Sequence, residues 1–219
     1  KVLGEKNVVP RFKCQAIRTN ELGITGWIQG TGYTGEMGVE IMIPNSQAPA
    51  LWRSLMEKGA SHGLVPVGLG ARDTLRLEKG YLLSGQDFLW PKLGSVENLP
   101  ADFLARTSWE TNVPFGLNLE HDFLGKSAVL SAMNSDKARW WGLKYQNRGP
   151  MPRTGKVVSR TQEGDEQIGI ITSGGPSPCL GNLGIGMAYI DGVKENDIVY
   201  VVASPKKCVE AIIVQPPFV

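Results

Sequence analysis

The C-terminal part of the chain, from about residue 139, is a series of short apolar runs separated by Gly, Pro, Asn and Asp at close intervals. Runs of this length, rich in β-branched residues and bounded by turn residues, are typical of β-strands joined by short turns. Such a succession favours a small antiparallel β-barrel or sandwich. The predicted strands are 141–145, 156–159, 167–172, 183–190, 198–202 and 208–214.

One glycine-rich and proline-rich stretch interrupts this series. Residues 171–178 read Ile-Thr-Ser-Gly-Gly-Pro-Ser-Pro, and Gly and Pro are the residues that most often mark turns. The stretch therefore predicts a tight turn at a corner of the barrel. We expect the nearby Trp140 and Trp141 to pack in the core, because most aromatic side chains in such a chain are buried.

The earlier part of the chain mixes two kinds of pattern. Residues 22–29 and 38–43 are rich in β-branched and aromatic residues and predict strands, while residues 47–58 place apolar side chains at helical spacing. A second helix is predicted over 68–80, a short one over 125–133, and irregular structure over 81–120. This succession predicts an α+β region, 1–130, followed by the barrel region, 131–219.

Composition and charge argue against nucleic-acid binding, a membrane segment and a metal site. A net charge of +2 is too small to indicate nucleic-acid binding through bulk electrostatics. No apolar run approaches the roughly 18–20 residues that cross a membrane. The cysteines Cys14, Cys179 and Cys208 are far apart and only two histidines are present, so the sequence indicates neither a metal site nor a disulfide framework. We therefore expect no nucleic-acid partner, no membrane segment and no metal.

A glycine-rich loop between the first two predicted strands ends in a carboxylate. It reads Thr-Gly-Tyr-Thr-Gly-Glu over residues 31–36. Gly32 and Gly35 can take positive φ and let the backbone approach a ligand closely, which other residues resist. Glu36 can accept two parallel hydrogen bonds from a planar N–H and NH₂ edge, such as that of a pterin ring. The alternative is that Glu36 caps the loop or pairs with a surface lysine.

The predicted helix over 68–80 carries two arginines one turn apart. Arg72 and Arg76 share a helix face, where they can bind a carboxylate, which suits the guanidinium geometry. The alternative is local pairing, Arg76 with Asp73 and Glu78 with surface charges. Tyr33 in the loop and Phe115 are aromatic residues that can stack on a ring.

Five blocks in chain order closely resemble the glycine cleavage system T protein, or aminomethyltransferase, family. They are TGYTGE (31–36), GLGARDTLRLEKG (68–80), DFLGKSAVL (122–130), ITSGGPSPCLG (171–181) and PPFV (216–219). The resemblance implies part of a ferredoxin-like folate-binding domain followed by a small antiparallel barrel. It also implies a protein of the cytoplasm, or of the mitochondrial matrix in a eukaryote.

The resemblance further implies an activity and a set of contacts. The family receives an aminomethyl group on the lipoyl arm of the H protein, releases ammonia and passes the one-carbon unit to tetrahydrofolate. By position, Glu36 would hold the pterin edge, and Arg72 and Arg153 would be further folate contacts. Tyr33 and Phe115 are the aromatic candidates, Phe115 standing where many relatives carry tryptophan.

The sequence also departs from the family pattern. The N-terminal portion that bears the family's catalytic aspartate has no counterpart here, so no catalytic residue is assigned. We expect the chain to be a C-terminal part that works with a missing N-terminal portion or a second polypeptide. Two alternatives stay open: the folate-binding portion of a dimethylglycine or sarcosine dehydrogenase, and a non-catalytic folate-binding or scaffold relative.

Overall fold

The computed structural model describes residues 2–89, 99–100, 102–112 and 117–219. Their contacts divide the chain into two units, Lys1–Leu75 and Arg76–Val219. In chain order the elements are β1 Cys14–Ala16, β2 Trp27–Gln29, β3 Glu40–Met42, α1 Ala48–Ala60, α2 Leu69–Glu78, α3 Lys126–Met133, β4 Arg139–Tyr145, β5 Val157–Ser159, β6 Gln167–Ser177, β7 Leu183–Ile190, β8 Ile198–Ser204 and β9 Lys207–Val214. Over these residues, no helix has the length and apolar character needed to cross a bilayer.

The first unit contains an antiparallel sheet in the order β1-β2-β3. Ile28 lies opposite Gln15 and Ile41, while its neighbour Trp27 lies opposite Ala16 and Met42. Successive side chains of a strand point to opposite faces. Ile28 therefore packs into the core of this unit, and Trp27 lies on the other face and is exposed. Both predicted strands are confirmed but are shorter than the patterns suggested, and β1 was not predicted.

Helix α1 confirms the helix predicted over 47–58. Its buried Leu51 joins the core that contains Ile28, as the apolar spacing requires. The chain leaves the helix through Gly63, which has φ +78°, and the Leu64 N–H donates to the Gly59 carbonyl over 3.1 Å. The left-handed residue that turns the chain is thus Gly63.

The second unit contains a closed antiparallel barrel in the order β4-β7-β6-β5-β8-β9, in which β9 pairs back with β4. All six predicted strands of the C-terminal region are present. Leu143, Ile171 and Ile213 belong to a fully buried cluster contributed by all six strands. The alternate residues of β4 and β7, including Trp140 and Tyr189, form a second core with Leu77 and Phe218. Strand β7 is consequently buried along nearly its whole length.

The turn predicted over 171–178 is wrong. Most of this stretch is the second half of β6, which pairs with β7 and has a register shift between Ile171 and Ser173. Gly174 is needed there for close packing, because a Cβ at this position would lie 2.5 Å from the Pro152 carbonyl oxygen. The chain turns only after the strand, at Gly181 and Asn182, both of which have positive φ.

The contacts place the boundary between units at 75/76, whereas the predicted domains meet at 130/131. Leu77, Leu82 and Phe103 pack against barrel residues such as Tyr189, so contacts associate part of the irregular segment with the barrel. The division into a folate-binding region over 1–130 and a barrel domain over 131–219 stays a prediction.

Candidate functional site

The glycine-rich loop 31–36 connects β2 to β3. Gly35 has φ +77°, whereas Gly32 lies outside the positive-φ region. A Cβ on Gly32 would have no atom of the protein within 4 Å, so packing does not demand glycine at that position. The Glu36 N–H donates to the Thr34 hydroxyl over 3.3 Å, and the Glu36 residue is exposed. The loop thus carries Glu36 at the surface.

Tyr33 and Arg72, predicted from separate blocks of sequence, come together in the first unit. The guanidinium carbon of Arg72 lies 4.9 Å from the centre of the Tyr33 ring. This is a cation–π distance, and the pair presents one aromatic face and one permanent positive charge. Arg72 is anchored in the first turn of α2, where its N–H donates to the Gly68 carbonyl over 3.3 Å. Both residues are therefore placed near the surface by short local elements.

Arg76 does not form the second arm of an arginine fork at the surface, because its side chain is buried, and the alternative of local pairing with Asp73 stays a prediction. It is buried in the barrel unit, where its Nη1 lies 2.9 Å from Asp87 Oδ2. Its guanidinium also donates to the Tyr81 carbonyl oxygen at 3.1 Å and to the Ser173 hydroxyl at 3.0 Å. The partner carboxylate is 11 residues away and the hydroxyl is 97 away, so spacing along α2 could not reveal them.

Asp87 is fully buried and is the centre of this polar cluster. Its Oδ2 also accepts from the Leu83 N–H at 2.9 Å, and its Oδ1 accepts from the hydroxyls of Ser173, at 2.7 Å, and Thr172. Burying a charge is costly unless it is paired and hydrogen-bonded, and these donors meet that condition. The signal that sequence reasoning missed is the pair of hydroxyl residues in the middle of an apolar strand.

Glu78 makes a second buried link between the block 68–80 and the block 171–181. Its Oε1 accepts from the Ser177 hydroxyl and, at 3.1 Å, from the Cys179 N–H, while the Cys179 thiol lies 3.3 Å from Oε2. Burial by itself would raise the pKa of Glu78. These hydrogen bonds outweigh burial and leave the pKa below its usual 4.5. Glu78 is therefore held mainly by buried hydrogen bonds, and the charge of Lys79 makes only a smaller contribution.

Of the remaining predicted site residues, Arg153 lies in the second unit. Arg153 is exposed in the turn before β5, where its carbonyl oxygen accepts from the Lys156 N–H at 3.1 Å. Its role as a folate contact stays a prediction. Phe115 lies outside the described residues.

A cleft that the sequence did not indicate opens on the barrel. It has a volume of about 490 Å³, and its lining includes the exposed ion pair of Arg160 and Glu166 together with Asp191 and Tyr189. The predicted site residues are absent from its described lining.

Comparison with known proteins identifies two domains in the chain. Residues 5–90 match the GCVT N-terminal domain, and residues 139–219 match the glycine cleavage T-protein C-terminal barrel domain. The second match coincides with the closed barrel.

Individual relatives agree with the domain matches. The chain is 38% identical over 205 residues to a probable aminomethyltransferase of Halobacterium salinarum, covering 93% of this chain and 51% of that protein. It is 36% identical over 197 residues to an aminomethyltransferase of Thermotoga sp., covering 90% and 48%. The crystal structure of glycine cleavage system aminomethyltransferase T from Bartonella henselae superposes with a TM-score of 0.65 at 30% identity, covering 88% of this chain and 49% of that one.

The chain thus spans about half the length of the relatives it matches. The domain matches, the relatives and the barrel architecture all point to one lineage. The chain belongs to the glycine cleavage T-protein family.

Proposed function

We propose that this chain is the folate-binding and barrel part of an aminomethyltransferase of the glycine cleavage system. The reaction transfers a one-carbon unit from an aminomethyl group on the lipoyl arm of the H protein to tetrahydrofolate and releases ammonia. The observation that carries the proposal is the contact between Tyr33 and Arg72, with Glu36 on the same loop as Tyr33. We place this activity in the cytoplasm, or in the mitochondrial matrix of a eukaryote.

The chemistry of these side chains fits tetrahydrofolate. This molecule joins a bicyclic ring with an amidine-like edge to a tail that ends in carboxylates. Glu36 is suited to the amidine-like edge, because a carboxylate accepts two parallel N–H bonds. Arg72 is suited to a carboxylate, and Tyr33 offers a flat face for a ring. The open space at Gly32 leaves room for a ligand beside the backbone.

In this proposal the residues of the chain bind and orient, and tetrahydrofolate supplies the amine that accepts the one-carbon unit. Arg153 and Phe115 are proposed as further contacts. We assign no catalytic residue to this chain, and the complete reaction requires the lipoyl-bearing H protein together with a part of the family polypeptide that this chain does not span.

Calorimetric titration of tetrahydrofolate into the chain tests the binding site. A charge-assisted hydrogen bond contributes about 1.5–3 kcal/mol, so Glu36→Gln and Arg72→Gln should each weaken binding roughly 10-fold to 150-fold. Glu40→Gln on β3 and Arg53→Gln on α1 change the same charges at other exposed positions and should leave the affinity unchanged.

Two results would contradict the proposal. One is equal affinity of all four variants, and the other is failure of the folded wild-type chain to bind tetrahydrofolate. An assay of ammonia release from aminomethylated H protein then tests the transfer itself. Tight folate binding without ammonia release, in the presence of the segment that the chain does not span, would favour a non-catalytic relative.

A further inference from the structure

The cleft on the barrel unit contains two opposite charges that do not neutralise each other. Arg160 and Asp191 both line it, and both residues are exposed. Arg160 pairs with Glu166 through Nε, 3.0 Å from Oε1, and among the described residues its two Nη groups have no hydrogen-bond acceptor. The Asp191 N–H donates to the Ile168 carbonyl at 2.8 Å, while its carboxylate accepts no hydrogen bond from the described part of the chain. The cleft therefore offers a set of N–H donors and a carboxylate to a ligand.

These two charged groups flank the same glycine. A Cβ added to Gly192 would lie 3.3 Å from Arg160 Nη2, and Asp191 is the residue immediately before Gly192. The Asp191 backbone is fixed by its hydrogen bond to β6, and Gly192 turns the chain with φ +59°. The guanidinium and the carboxylate are thus close enough to contact one small molecule.

The cations beside Asp191 bind other groups. A smaller recess of about 190 Å³ adjoins the cleft at Asp191 and is also lined by Lys137 and Arg139. The Lys137 Nζ lies 4.0 Å from a Glu110 carboxylate oxygen, and Arg139 Nη2 donates to the Asn112 amide oxygen. Over the described residues, neither cation forms an ion pair with Asp191, so its negative charge is available to a ligand.

The cleft also has an apolar part, to which Phe103, Ala138 and Ile168 contribute, and all three are partly buried. The Phe103 ring packs edge-on against Tyr189 with 5.8 Å between the ring centres, and the Arg106 guanidinium carbon lies 4.7 Å from the Phe103 ring centre. These contacts hold the ring in place before a ligand binds. A volume of about 490 Å³ is within the range of small-molecule sites, which combine apolar surface with a few polar groups.

We propose that this cleft binds a free α-amino acid with a large apolar side chain. The carboxylate of the ligand binds the Nη groups of Arg160, the ammonium binds Asp191, and the side chain packs on Phe103 and Ile168. Guanidinium geometry suits a carboxylate, and hydrogen bonds between charged groups are stronger than neutral ones. A free amino acid carries both charges on one carbon atom, whereas a peptide terminus carries only one of them. None of the described lining residues is a predicted folate contact, and the proposal is independent of the proposed enzymatic activity.

Titration of L-phenylalanine into the isotope-labelled 219-residue chain, followed by amide chemical shifts, tests the site. The Gly169 and Gly192 amides should shift with one common Kd of about 2 mM or lower, the range for a ligand of about a dozen heavy atoms. Phenylpropionate lacks the ammonium and phenethylamine lacks the carboxylate, so each should bind at least about 10-fold more weakly. The absence of saturable shifts up to about 20 mM L-phenylalanine would overturn the proposal.

Charge variants test the role of each group. Asp191→Asn should weaken L-phenylalanine binding at least about 10-fold and remove its advantage over phenylpropionate, and Arg160→Gln should remove its advantage over phenethylamine. Glu163→Gln is the matched control, because Glu163 is exposed in the turn between β5 and β6 and is absent from the described lining, and it should leave the affinity unchanged. Equal affinity of all three variants would overturn the proposal. Equal binding of L-phenylalanine and phenylpropionate by the wild-type chain would also overturn it, because it would indicate a site for anions in general.

Discussion

Removing the carboxylate charge of Asp87 should be among the most destabilising single changes in the barrel unit. Asp87→Asn keeps the size of the side chain but leaves the buried Arg76 without its 2.9 Å ionic partner. Breaking a buried ion pair by neutralising one member costs about 3–5 kcal/mol, because an uncompensated charge stays in the interior. A domain has only about 5–15 kcal/mol of stability in total. The barrel unit should therefore unfold at a much lower urea concentration.

The double variant makes this prediction sharper. Arg76→Met/Asp87→Asn removes both charges, so no uncompensated charge remains and the cost should be smaller than the sum of the two single changes by about 2–3 kcal/mol. The measurement is urea denaturation followed by circular dichroism on all four proteins. Glu166→Gln is the control, because it breaks the 3.0 Å pair with Arg160 at the surface, where a salt bridge contributes at most about 1 kcal/mol. The reasoning would be refuted if the loss of unfolding free energy in the double variant equalled the sum of the losses in the two single variants. It would also be refuted if Asp87→Asn lowered the free energy of unfolding no more than Glu166→Gln does.

Three further predictions concern single residues, one in the barrel unit and two in the first unit. Because the folded pKa of Glu78 lies below 4.5, its ionised form contributes stability that is complete above about pH 4.5 and is lost as the pH falls through the folded pKa. Glu78→Gln should lower the urea midpoint of unfolding at about pH 7. Between about pH 7 and about pH 3.5 the midpoint of the variant should also decrease less than that of the wild-type chain. The same decrease in both proteins would contradict this prediction. Gly26 has φ +134°, and a Cβ there would lie 2.1 Å from the Met42 carbonyl oxygen, so Gly26→Ala should destabilise the first unit by more than about 2 kcal/mol in thermal denaturation. Gly32→Ala should change the free energy of unfolding by less than about 0.5 kcal/mol, because no atom of the protein lies near the added Cβ. The same variant should nevertheless bind tetrahydrofolate more weakly. A loss of stability with no loss of binding would argue against a ligand at this loop.

The polar clusters around Asp87 and Glu78 explain why the blocks 68–80 and 171–181 contain buried polar and charged residues. Arg76 and Glu78 on α2 are joined to Ser173, Ser177 and Cys179 about one hundred residues later. These links hold the last turn of the helix against the barrel strand β6. Most of the polar side chains named in these two blocks therefore stabilise the fold, whereas Arg72 in the first block lies at the surface.

The sequence by itself determined the elements whose signals are local. The barrel strands, α1 and α2 were predicted because apolar spacing and turn residues act over a few positions. The pairing of Tyr33 with Arg72 was anticipated only in so far as both were assigned to one ligand. Strand β1 escaped prediction because three residues carry too little pattern, and the Gly-Gly-Pro stretch of β6 escaped because turn residues can be held in a strand by close packing.

Tertiary structure alone decided the partners of the buried charges. Arg72 and Arg76 lie one turn apart on the same helix, and their spacing alone does not show which of the two is buried. What separates them is Asp87 in a later loop and Ser173 on a distant strand, which make burial of one guanidinium tolerable. The cost of burying a charge depends on the donors and acceptors that surround it in space, and the chain brings those together only by folding.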